Sequence, residues 1–126
     1  MKKIILFIAF LFTMNASASA ENETANSVSN VEAYDIKTNI NSLVKYLDLS
    51  EDQIESVENV QKVFEENLKY AGYMSGNARM HMAGSAIKYS ISNMSYILSK
   101  EQMRKYLLAL NLTINNRGIV YSDEKD

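Results

Sequence analysis

Between Val31 and Arg117 apolar residues recur every three or four positions with few interruptions, a periodicity that predicts four helices. Ile36, Ile40, Leu43, Val44 and Leu47 form the apolar face of the first. The second follows Ser50, with Ile54, Val57, Phe64, Leu68 and Ala71 on one side and the i,i+4 pairs Glu58/Lys62 and Glu65/Lys69 on the other. Gly72-Tyr73-Met74-Ser75-Gly76 is the strongest breaker cluster inside the domain and predicts a turn. A third helix runs on from Asn77 with Met80, Ala83, Ile87, Ile91, Met94 and Leu98 inward, and a fourth carries Met103, Leu107, Leu110 and Ile114. Asn116-Arg117-Gly118-Ile119 reads as a Schellman-type stop with Gly118 at C′.

Two of these helices open on the same phrase. Leu49-Ser50-Glu51-Asp52-Gln53-Ile54 returns 49 positions later as Leu98-Ser99-Lys100-Glu101-Gln102-Met103. In each copy serine suits the N-cap, glutamine at N3 reaches back to the cap amide, and leucine before the cap can clasp Ile54 or Met103. Ser50, Gln53, Ser99 and Gln102 are therefore read as helix caps with a structural role. The fold expected is all-α, with four helices as two αα-hairpins joined at Gly72 to Gly76 and each second helix opened by an LSxxQ capping box.

The back of the third helix is unusual. Met82, Tyr89 and Tyr96 lie seven apart, nearly opposite the core stripe, and between Asn77 and Ser99 only Arg79 and Lys88 carry full charges. Leu108 and Leu112 do the same on the fourth helix. Periodic apolar residues on the outer faces of two successive helices predict a subunit or partner interface made by Met82, Tyr89, Tyr96, Leu108 and Leu112.

The first twenty residues read as an address. Lys2 and Lys3 form a basic start, Ile4 to Met14 an apolar stretch, and Ala18-Ser19-Ala20 a small-x-small cleavage pattern. The apolar stretch is well short of the ~20 residues a spanning helix needs. The expected organisation is a signal peptide over 1–20, cut after Ala20, a flexible polar leader over 21–30, the helical domain over 31–119 and a charged tail over 120–126. Periplasmic or secreted localisation follows from that expectation. The absence of cysteine excludes disulfides and a lipid-modified N-terminal cysteine.

The whole chain has net charge −2, and removing Lys2 and Lys3 with the leader makes it more acidic. An acidic exported domain is a poor partner for nucleic acid or an anionic membrane. With no thiol, one histidine and no phosphate-cradling glycine loop, the sequence offers no catalytic residues and implies no enzyme and no cofactor. One constellation has chemistry of another kind: Met74, His81 and Met82 are thioether and imidazole donors suited to Cu(I), which gives an alternative reading as a metal-responsive periplasmic protein. Otherwise these methionines are packing residues.

The paired phrase resembles the LTxxQ periplasmic stress proteins of the Spy and CpxP type, with serine where those proteins carry threonine. The stretch YILSKEQMRKY from Tyr96 to Tyr106 is similar to their second motif, and its continuation LLALNLTINNRG resembles small secreted proteins from Bacteroidetes. The resemblance implies an exported four-helix homodimer of cradle shape, a binding or adaptor protein with chaperone-like holding of unfolded clients or a part in envelope-stress signalling. Through the motif residues it implies no active site.

Overall fold

The structure is a computed structural model that describes residues 11–14 and 31–122. The proposed cleavage site at Ala20, the leader over 21–30 and the last four residues of the tail lie outside the described residues. Four helices dominate: α1 (Ile40–Leu47), α2 (Glu51–Gly72), α3 (Gly76–Ile97) and α4 (Lys100–Arg117). A short helical segment at 31–34 precedes them, and two three-residue strands, β1 (Phe12–Met14) and β2 (Ile36–Thr38), pair antiparallel. No described helix is long and apolar enough to cross a membrane.

The first helix begins later than its apolar spacing suggests. Asn39 is its N-cap, accepting from the Ser42 amide at 3.1 Å, so Ile36 reaches the core from β2 rather than from a helix. A helix continued back through Ile36 would forfeit the pairing of Ile36 to Thr38 with β1. It would also lose the bond from the Thr38 amide to Glu65 Oε2 at 2.7 Å. Glu65 thus serves β2, where the i,i+4 pattern had assigned it to Lys69.

Helices α2 and α3 each have 22 residues, about 33 Å of helix. They form the most extensive helix pair, folded across the short turn at Tyr73 to Ser75, while α1 docks on α4 and α4 also touches α3. The main hairpin is therefore the one that closes at the glycine cluster. Its core contains Val57, Phe64 and Leu68 of α2, Ala83, Ile87 and Met94 of α3, and Tyr106, Leu110 and Ile114 of α4, closed at one end by Leu43 and Leu47 of α1. At the turn, Arg79 donates to the Ala71 and Gly72 carbonyls at 3.1 and 2.8 Å and sits over the Tyr34 ring, a cation placed where a helix C-terminus favours one.

Helix α4 stops at Gly118 in the left-handed region, φ 70°, and the Ile119 amide bonds back to the Ile114 carbonyl at 3.1 Å. Beyond it the chain does not leave the domain at once. The Tyr34 hydroxyl bonds the backbone of Val120, and the Ser122 amide donates to the Met80 carbonyl at 3.0 Å. Gly84 makes that crossing possible, because a Cβ there would stand 2.3 Å from the Ser122 carbonyl oxygen. Gly84→Ala should gain about 1 kcal/mol of helix propensity and lose more by displacing the tail. Thermal melts are expected to show a lower Tm in the full chain and a higher one in a chain ending at Ile119; a higher Tm in both would mean the tail contributes nothing.

Candidate functional site

The repeated phrases meet in space through their glutamines. Gln53 Nε2 donates to Gln102 Oε1 at 2.8 Å, and Gln102 Nε2 donates to Gln53 Oε1 at 3.1 Å. Each glutamine oxygen also accepts from the cap amide of its own helix, Ser50 or Ser99, at 2.9 Å. The second proton of each amide goes to the far helix end: Gln53 to the Ile97 carbonyl at 3.0 Å, Gln102 to the Leu47 and Asp48 carbonyls at 3.0 and 3.3 Å. Asp48 and Ile97 are again 49 residues apart, so the arrangement is close to two-fold symmetric within one chain. Every donor and acceptor of both side-chain amides is engaged.

The serines differ slightly. Ser99 Oγ accepts from the Gln102 amide at 3.1 Å, the reciprocal partner of the glutamine bond. At the first copy the Gln53 amide bonds the Ser50 carbonyl at 3.0 Å, and the Ser50 hydroxyl leans on Gln53 Oε1 at 3.4 Å. Beside the glutamine pair, Tyr46 and Lys105 exchange bonds between α1 and α4, hydroxyl to Lys105 carbonyl at 3.0 Å and ammonium to Tyr46 carbonyl at 2.9 Å. Both glutamines and their cap serines line a shallow cleft with Asp48, Glu101 and Lys105.

A second polar cluster lies inside the bundle. Gln61 and Ser90 are buried, as is Tyr106. Gln61 Nε2 donates to the Tyr106 hydroxyl at 3.0 Å and lies 3.7 Å from Met94 Sδ, its Oε1 accepts from the Thr38 hydroxyl at 2.9 Å, and Tyr106 shares a hydrogen bond with Ser90. Burial lifts the Tyr106 phenol above its ordinary value of about 10, and the bonds to Gln61 and Ser90 offset part of that rise. The sequence does hold a signal for this cluster: Gln61 stands four after Val57 and Ser90 three after Ile87, polar residues inside apolar stripes.

The expected interface residues divide. Tyr96 is 88% exposed and Leu108 49%, whereas Met82, Tyr89 and Leu112 are half-buried and pack against the core. The outer stripe is thus narrower than its seven-residue spacing suggests, because Met82, Tyr89 and Leu112 already pack on the core. Tyr70 and Tyr73, at 61% and 67%, add an exposed aromatic pair above Glu66 and Lys69 that helical periodicity had not singled out. Of the Met/His constellation, Met82 packs on the core, His81 is exposed and Met74 is half-buried in the turn. Among the described residues no three His, Cys, Asp or Glu side chains gather into a metal-holding group.

No protein-family model, curated protein or solved structure matches the chain.

Two measurements probe these clusters. Gln53→Ala and Gln102→Ala should each cost about 1–3 kcal/mol, since each leaves partner groups unpaired, and the double variant should cost less than their sum; denaturant melts that add without coupling would separate the two glutamines energetically. Tyr106→Phe leaves the Gln61 amide and Ser90 without their partner and should lose about 1–3 kcal/mol. Because the folded phenol holds its proton more tightly than the unfolded one, its contribution is complete below about pH 10 and is lost as pH rises toward the folded value. Stability of the wild type should therefore fall more steeply above about pH 10 than that of Tyr106→Phe, measured by urea melts across that range.

Proposed function

We propose that this chain is an exported, non-enzymatic helical binding or adaptor protein of the cell envelope, working as a homodimer and holding other polypeptides in a chaperone-like manner. The N-terminal sequence pattern and the resemblance of the paired LSxxQ phrases to periplasmic stress proteins support export and class. The observation that carries the binding role is the disposition of side chains. The repeated polar residues turn inward and hold helix ends to one another, while several large apolar or aromatic side chains stay exposed among the charged ones: Tyr70, Tyr73, Tyr96 and Leu108. A surface of that kind removes more apolar area from water when another chain covers it. On this reading the two LSxxQ units are architectural, each opening one helix and locking it to the other unit, and recognition belongs to the exposed aromatic and apolar residues of α3 and α4 together with Tyr70 and Tyr73 at the end of α2.

Static light scattering should find a dimer. Tyr96→Glu combined with Leu108→Glu should give a folded monomer, since both side chains are exposed and neither is needed by the core. A wild-type monomer at high micromolar concentration overturns the homodimer. Protection of a thermally aggregating client at stoichiometric ratio is the expected result for a holding function; no protection would leave an adaptor that binds folded partners.

A further inference from the structure

In the whole chain Leu11 and Phe12 are 0% and 3% exposed, within one cluster that includes Tyr34, Ile36, Leu43 and Ile119. Phe12 opens strand β1, and Leu11 lies in the turn just before it. Phe12 stands opposite Thr38, Thr13 opposite Lys37 and Met14 opposite Ile36, the Asn39 amide donates to the Leu11 carbonyl at 2.6 Å, and Arg117 Nη2 reaches the Phe12 carbonyl at 3.4 Å. Both of these successive side chains are buried.

β2 has a second anchor besides this partner. Its other side is pinned to α2 by the Thr38 amide on Glu65 and the Thr38 hydroxyl on Gln61. Alternation along the strand turns the Lys37 and Asn39 amides the opposite way, toward β1. Removing Leu11 and Phe12 by cleavage after Ala20 therefore leaves an open strand edge, an apolar floor and the Arg117 guanidinium along one groove.

We propose that this groove, filled by Leu11 and Phe12 in the whole chain, is in the processed protein a docking site for an extended apolar segment of another polypeptide, taken up as an antiparallel strand beside β2. The inference rests on the export reading above. The seated segment itself shows what fits: main-chain groups bonding to the Lys37–Asn39 edge and to Arg117, with two consecutive large apolar side chains entering the core. Recognition through backbone and apolar bulk is tolerant of sequence and requires an unfolded segment, because a folded chain keeps both its backbone groups and its large apolar residues engaged.

The test uses processed protein purified from an envelope fraction, with its N-terminus fixed by mass spectrometry and its helicity by circular dichroism. The probe is a fluorescein-labelled peptide of residues 8–15, IAFLFTMN, carrying added lysines for solubility. Saturable binding by fluorescence anisotropy is expected, weakened tenfold or more by Lys37→Pro, which removes an edge amide, and several-fold by Arg117→Ala. The uncleaved chain, whose groove is full, should bind at least tenfold more weakly. An N-terminus still carrying residues 11–14 overturns the export reading and the docking site together. A cleaved, helical protein that does not bind, or binds equally well with both substitutions, overturns the docking site alone. A dimer that Lys37→Pro dissociates and that excludes the peptide also overturns it, in favour of a second copy at the β2 edge.

Discussion

The pairing of Gln53 with Gln102 is the interaction on which the rest of the architecture depends. A helix leaves unsatisfied amides at its start and carbonyls at its end, and this bundle brings two starts and two ends to one place. The starts of α2 and α4 and the ends of α1 and α3 are all bonded through two side-chain amides. Glutamine suits the task because its amide offers two donors and a two-lone-pair acceptor at the end of a side chain long enough to pass its own helix cap. Asparagine would be too short to do both, and glutamate would lack the donors.

A clamp at one end leaves the other end of the long hairpin to be closed differently. There Arg79 gathers the final carbonyls of α2, Tyr34 lies under it, and the chain following α4 returns across Gly84. Between the two ends the Thr38, Gln61, Tyr106 and Ser90 cluster ties β2, α2, α3 and α4 together in the apolar interior. A satisfied buried network of this kind fixes register more sharply than apolar contact alone, since sliding one helix past another would leave polar groups buried and unpaired. The helices are thus held at three levels by directional bonds, with nondirectional packing filling the space between.

This division has a consequence for function. Gln53, Gln102, Gln61, Ser90 and Tyr106 are committed to the fold, and the outside carries exposed aromatic and apolar side chains among its charged ones. Met82, Tyr89 and Leu112 cannot simply be added to an outer patch: they already pack on the core, and only Tyr96 and Leu108 of that stripe remain available to a partner.

What the sequence by itself determined is whatever closes over a few residues. The starts of α2 and α4, the turn at Gly72 to Gly76 and the stop at Gly118 are legible because a cap or a glycine with positive φ acts within one helical turn. The inward faces of α2 and α3 are legible for the same reason, as 3.6-residue periodicity is local, whereas α4 turns Tyr106 and Ala109 into the core beside Leu110 and Ile114 and leaves Leu107 half-buried outside it. Four features depend on partners far away in the chain. β2 takes Ile36 out of the first helix because β1 and Glu65 bond it from 24 and 27 residues away. Glu65 leaves its i,i+4 partner for the same strand. Gln61 and Ser90 look like interruptions of apolar stripes until Tyr106 is set between them. The glutamines read as caps for their own helices, yet only the approach of the two helix junctions could engage the second half of each amide. That approach was decided by the tertiary structure, because no local rule tells an amide proton which distant carbonyl will be left without a partner.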